Sequence, residues 1–262
     1  MTDTVFVSAA RRAVPFLLIS ICSVSLLLLG FASTANAGFY GNFMGTSVEF
    51  IDVQDQNSLF GAPTVSADSL DFSPIAFEAD CSLDPGCPPT PTTVDDTLTI
   101  TIQANNGFFI DDILLTEAGD TTLQSFVGAF AATVVTATVF VDIFQIDGLN
   151  VNNINGNAMM VFTQSGQYES NDEGYGTHIW TGSLLIDLDQ IIFDAGETGK
   201  ATRVQLNLDN TLTAFGASGA TARIEKKDID GLAIAIVPEP GTALLLGLGL
   251  TALASARRTR HA

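Results

Sequence analysis

The sequence predicts an all-β protein, an antiparallel β-sandwich of the jelly-roll-like or Ig-like kind, set between an N-terminal signal helix and a C-terminal short transmembrane helix. Three observations predict it. Residues 38 to 236 form β-branched, period-2 runs separated by clusters of Gly, Asn, Asp and Pro, the pattern of half-buried strands joined by turns. No stretch of helical periodicity competes with them. Each end of the chain is instead a single apolar run beside arginines, which separates the ends physically from the body.

From the N-terminus, Arg11 and Arg12 supply a positive region, Phe16 to Ala32 an apolar run, and Ala35-Asn36-Ala37 a small-residue cleavage site. The segment 1–37 therefore reads as a secretory signal cut between Ala37 and Gly38. The length and apolarity of the run suit the general secretory route better than twin-arginine export.

In the body, 38–236, strands are predicted over Ser47 to Val53, Thr97 to Gln103, Phe108 to Thr116, Thr133 to Ile146, His178 to Leu188, Thr202 to Thr213, Ala220 to Lys226 and Leu232 to Val237. Val204-Gln205-Leu206-Asn207-Leu208 shows the reason most clearly, with aliphatics on one face and amides on the other. The segment 63–93 holds six prolines and reads as a long loop or excursion rather than a strand pair. Leu149 to Asn157, dense in asparagine, reads as a second loop. Cys22 departs with the signal, leaving Cys81 and Cys87 as an even pair in an oxidising compartment, so a disulfide is expected across the Pro85-Gly86 turn.

The chain has 262 residues and a formal net charge of -19, with 47% hydrophobic and 15% charged residues, a balance that fits a folded exported domain rather than a disordered acidic one. Only Lys200, Arg203, Arg223, Lys226 and Lys227 are basic within the body, whereas all 29 acidic residues except Asp3 and Glu239 lie between 38 and 237. Such a surface repels nucleic acid. Cations and neutral polymers are the expected partners.

Nucleophilic and transition-metal chemistry finds little support. The body has one histidine, His178, on a predicted strand, and neither a G-x-S-x-G elbow nor a phosphate-cradling glycine motif. No catalytic residue is assigned, and a non-enzymatic protein is expected. Carboxylates are the abundant resource, grouped at Asp52 and Asp55, Asp95 and Asp96, and Asp111 and Asp112. Asp187 and Asp189, at alternating strand positions, together with Asp194 form a candidate calcium set, since calcium takes six to eight oxygens in irregular loops. A solvated acidic surface is the competing reading. A polysaccharide hydrolase would need one acid and one base, and the sequence singles out no such pair.

At the C-terminus Val237-Pro238-Glu239-Pro240 precedes an apolar run from Thr242 to Ala256 and then Arg257, Arg258 and Arg260. Two prolines fix an extended segment that a protease can bind as a strand. The run of about 15 residues is short against the roughly 20 that span a bilayer comfortably. The arginines hold the end in the cytoplasm and so place the acidic body across the membrane. Motif, short span and arginine cluster, in that order over 237–262, resemble the PEP-CTERM sorting domain. The resemblance implies processing by an exosortase, with Val237, Pro238, Glu239 and Pro240 as the recognition element. It also implies transient anchoring in the membrane followed by a place at the cell surface or in a polysaccharide matrix.

Overall fold

The computed structural model describes residues 37–74, 76–81, 90–227 and, for the backbone, 232–237. The predicted signal helix, the predicted transmembrane helix and Cys87 lie outside the described residues. In chain order the strands are β1 Gly38–Met44, β2 Val48–Asp55, β3 Thr64–Ser66, β4 Ser69–Phe72, β5 Glu78–Asp80, β6 Thr92–Ala104, β7 Asp112–Ser125, β8 Ala131–Ile146, β9 Leu149–Met159, β10 Val161–Phe162, β11 Gln167–Glu169 and β12 Gly176–Asp187. A seven-residue helix, α1 Leu188–Asp194, follows, and then β13 Ala201–Gly216, β14 Ala220–Lys226 and β15 Leu232–Val237.

The protein is mostly strand, and every strand pair is antiparallel. One sheet runs β1-β2-β6-β13-β8, with the far edge of β8 shared between β9 and β11. The other runs β10-β12-β7, and the far edge of β7 is shared in the same way. There β15 pairs with its first half and β14 with its second, continuing to β4-β3 and to β5 respectively. Both sheets thus rest on a long strand pair whose outer edge divides between two shorter strands.

Alternation decides which side chains go inside. Val135, Val139, Val141 and Ile143 of β8 and Val204, Leu206, Leu208 and Leu212 of β13 face Ile113, Leu115 and Leu123 of β7 and Ala222 and Ile224 of β14 in one continuous core. At about 1.5–3 kcal/mol for each large aliphatic side chain removed from water, these rows drive the association of the layers. Among the inward positions that break them are Glu117 on β7, Asn210 on β13 and Lys226 on β14, all buried.

The structure corrects three local expectations. Leu149 to Asn157 is a strand, because Asp147 and Gly148, both with positive φ, make the two-residue turn that folds β9 back along β8. The Pro-rich segment contains a strand pair after all, β3 with β4, formed in a stretch that its prolines leave free. The strand predicted to Leu188 ends at Asp187, and Asp187 and Asp189 do not alternate on one strand face. Asp187 Oδ1 accepts the N–H of Gln190 at 2.9 Å and caps α1. Leu188 and Ile192 provide the buried stripe of that helix, and two such residues are too few to register as periodicity.

Candidate functional site

Two regions bear on function. The first is the departure point of the C-terminal tail. β15 is hydrogen-bonded on both sides, with Ala233 to Val237 against Thr116 to Asp112 of β7 and Leu232 to Ala235 against Phe72 to Ser69 of β4. Val237 is its last residue. Pro238, Glu239 and Pro240 follow and lie outside the described residues, as do Arg257, Arg258 and Arg260. The described fold begins with comparable sharpness at the other end. Gly38 opens β1, and its buried N–H donates to Asp55 Oδ1 at 3.1 Å. A β-carbon at that position would overlap Asp55 and the Tyr40 hydroxyl, so glycine is the residue that fits.

The second region is a groove of about 500 Å³ between β9, the end of β12 and α1. Asn155, Asn157, Asp187, Gln190 and Asp194 supply its polar lining, and Val141, Leu185 and Ile191 are among the apolar residues. Gly156 lets Ile191 close the floor, since a β-carbon there would sit 3.0 Å from the Ile191 Cδ1. Of the three predicted calcium ligands, the structure brings Asp187 and Asp194 to this groove and sends Asp189 elsewhere. Gln190 links the two, its N–H to Asp187 and its Nε2 to Asp194 Oδ1 at 2.8 Å. Asp189 instead pairs with Lys200 at 2.6 Å, and the same ammonium lies 3.0 Å from Asp111. Asp112, opposite Asp187 in the β7–β12 ladder, has its pKa raised by burial and then by the charges of Asp187, Asp111 and Asp189, with Lys200 opposing. Among the described residues no group of three His, Cys, Asp or Glu side chains is gathered to hold a metal ion.

The other acidic groups serve the fold. Asp55 and Asp96 are buried and accept backbone N–H groups from the loop that follows β2. Asp52 and Asp95 do not join them as ligands of a common centre. His178 sits on β12 with Nε2 3.3 Å from the Gly174 carbonyl. Cys81 is buried at the end of β5.

Sequence reasoning missed one group altogether. Glu117 lies at the centre of the interior, with Lys226 Nζ 2.6 Å from one carboxylate oxygen and the Asn210 amide nitrogen hydrogen-bonded to the other. Phe77, Trp180 and Phe60 surround the ammonium, their ring centroids 5.3, 5.6 and 5.9 Å away. Burial pushes the Lys226 pKa down, against the pull of Glu117. The signal was present in the strands themselves. Glu117, Asn210 and Lys226 each occupy the inward phase of an apolar alternation, such as Ile113-x-Leu115-x-Glu117.

Comparison with known proteins adds one firm result. Residues 237–258 match the PEP-CTERM protein-sorting motif, so the chain carries the tag of an exported protein sorted to the cell envelope or surface by exosortase-type machinery. A search of curated proteins returned no match. Among solved structures, TmCBM61 in complex with β-1,4-galactotriose aligns at 9% identity with a TM-score of 0.19, covering 81% of this chain and 94% of that one. A superposition that loose carries no argument about the site.

Proposed function

We propose that this protein is a non-enzymatic β-sandwich component of the cell surface or extracellular matrix, delivered by cleavage at both ends and associated there with exopolysaccharide. The observation that carries this reading is the sorting motif, which begins on the last residue of a strand built into the sheet. A cut within Val237 to Pro240 would release the membrane tail and leave every described strand in place. The start of the fold supports the other cut. Cleavage after Ala37 would turn the Gly38 nitrogen into an α-ammonium on the buried Asp55 carboxylate, strengthening a hydrogen bond that already exists. Two paired sheets around one core support the sandwich reading, and a disulfide between Cys81 and Cys87 belongs to the same proposal for an oxidising compartment.

The test is mass analysis of the mature protein from its host. The expected chain starts at Gly38 and ends near Pro238, and Pro238→Ala with Glu239→Ala is expected to leave the tail attached in the membrane fraction. A surface-located chain that still ends at Ala262 would overturn the proposal.

The groove favours a second reading of the body as a carbohydrate-binding module. Amide and carboxylate side chains beside small apolar ones match the hydroxyl and C–H surfaces of a neutral sugar polymer. Calcium dependence would rest on oxygens of Asp187 and Asp194 beside those that accept from Gln190. A thermal-shift series separates the cases: a rise with calcium, reversed by chelator, supports a calcium-dependent module. A rise with host oligosaccharide alone supports a metal-free one, and no response to either removes both.

A further inference from the structure

The buried group of Glu117, Asn210 and Lys226 is arranged for a reaction within the chain. Its three members come from three strands and both sheets: β7, β13 and β14. The Lys226 amine and the Asn210 carboxamide rest on the two oxygens of one carboxylate, so a nucleophile, an electrophile and a proton carrier share one dry pocket. Phe60, Phe77 and Trp180 close it to water, and all three are fully buried. Gly119 makes room for this wall, because a β-carbon there would run into the Trp180 ring. Two polar atoms of the pocket lack a hydrogen-bond partner among the described residues, Asn210 Oδ1 and Trp180 Nε1. A purely structural polar cluster satisfies its members, since each buried unsatisfied group carries a desolvation cost.

We propose that Lys226 and Asn210 become joined by an intramolecular amide bond, formed with Glu117 as the proton carrier and released ammonia as the by-product. Desolvation favours the neutral amine, which is the nucleophilic form. The ammonium proton passes to Glu117. The Nζ lone pair then adds to Cγ of Asn210 while the carbonyl electrons move onto Oδ1. Glu117 delivers its proton to Nδ2 and takes another from Nζ, and collapse of the adduct expels Nδ2 as ammonia. One Cγ–Nζ bond forms and one Cγ–Nδ2 bond breaks. No oxidant or reductant is involved, and Glu117 ends protonated. The product ties β13 of one sheet to β14 of the other, just before the strand that leads into the sorting tail. It is a covalent clamp that a reducing environment cannot open.

The experiment is a tryptic peptide map of the full chain after reduction and denaturation. Without the bond, trypsin releases Val204–Arg223 as a free linear peptide and cuts after Lys226. With it, Val204–Arg223 emerges joined to Ile224–Lys227 at about 17 Da below the sum of the two peptides, the mass of one ammonia. Glu117→Gln and Asn210→Ala are each expected to restore the free peptides. If either variant fails to fold, the map of the unaltered chain still decides. Recovery of free Val204–Arg223 with cleavage after Lys226 overturns the proposal, as does a branched peptide that persists in Asn210→Ala.

Discussion

Two sets of buried carboxylates are treated in opposite ways. Near the start of the fold, Asp96 receives the backbone N–H groups of Gln56, Asn57, Leu59 and Thr97 at 2.8–3.0 Å. Asp55 receives those of Gly38, Ser58 and Phe60 together with the Tyr40 hydroxyl. The loop is wound onto these two side chains and delivers Phe60 to the core. Glu117 receives no backbone donor among the described residues. It meets two other side chains, and the Asn210 carbonyl oxygen has no hydrogen-bond partner among the described residues. Main-chain donors are fixed by the fold, so a carboxylate they surround becomes an inert strut. Side-chain partners held in a dry aromatic pocket keep their chemistry available.

The largest way to break this contrast is Glu117→Ala, which strands Lys226 among aromatic rings without its anion. A loss of about 3–5 kcal/mol in urea unfolding is expected, as for other broken buried pairs. Asp96→Ala frees backbone donors that can in part reach water at a loop, so a smaller loss of about 1–3 kcal/mol is expected in the same assay. Gly119→Ala should cost about 1–3 kcal/mol by forcing Trp180 and the Glu225 carbonyl apart, and it would test whether the aromatic wall is held as tightly as the polar groups.

A pH series sharpens the comparison further. Burial is the main cause that raises the Asp96 carboxyl, with its backbone donors opposing and the Asp55 charge adding to the rise. The folded state therefore binds this proton more readily than the unfolded chain. Its stabilising share is full below the ordinary aspartate value of about 4 and is lost as pH rises through the raised value. Unfolding free energies of the unaltered chain, compared with Asp96→Asn, should decline across that window, and a flat difference would refute the assignment. The smallest effect is expected on the surface. Arg223 pairs with Glu78 and Glu225 while 44% exposed, and Arg223→Ala should change stability by no more than about 1 kcal/mol.

Much of the fold was legible because alternation is a local property. Val204 to Leu208 and Thr133 to Ile146 declare their inward faces in any window of a few residues. The strand β9 was hidden because its asparagines resemble a loop, and only the Asp147-Gly148 hairpin and the free edge of β8 make them a strand. Helix α1 was hidden by brevity. The candidate groove was half visible: Asp187 and Asp194 were singled out, but a capping role took Asp187 off the strand and Lys200 drew Asp189 away.

By itself, then, the sequence determined the C-terminal sorting tag, the acidic character of the body and its strand-rich class. Each of these depends on composition or on spacing over a few residues. The tertiary structure decided where the inward-facing exceptions meet. Asn210 and Lys226 are separated along the chain from Glu117 by the length of several strands, and no local pattern relates them. Packing one sheet against the other brings the three side chains together, because an antiparallel register fixes which inward positions oppose each other across the core.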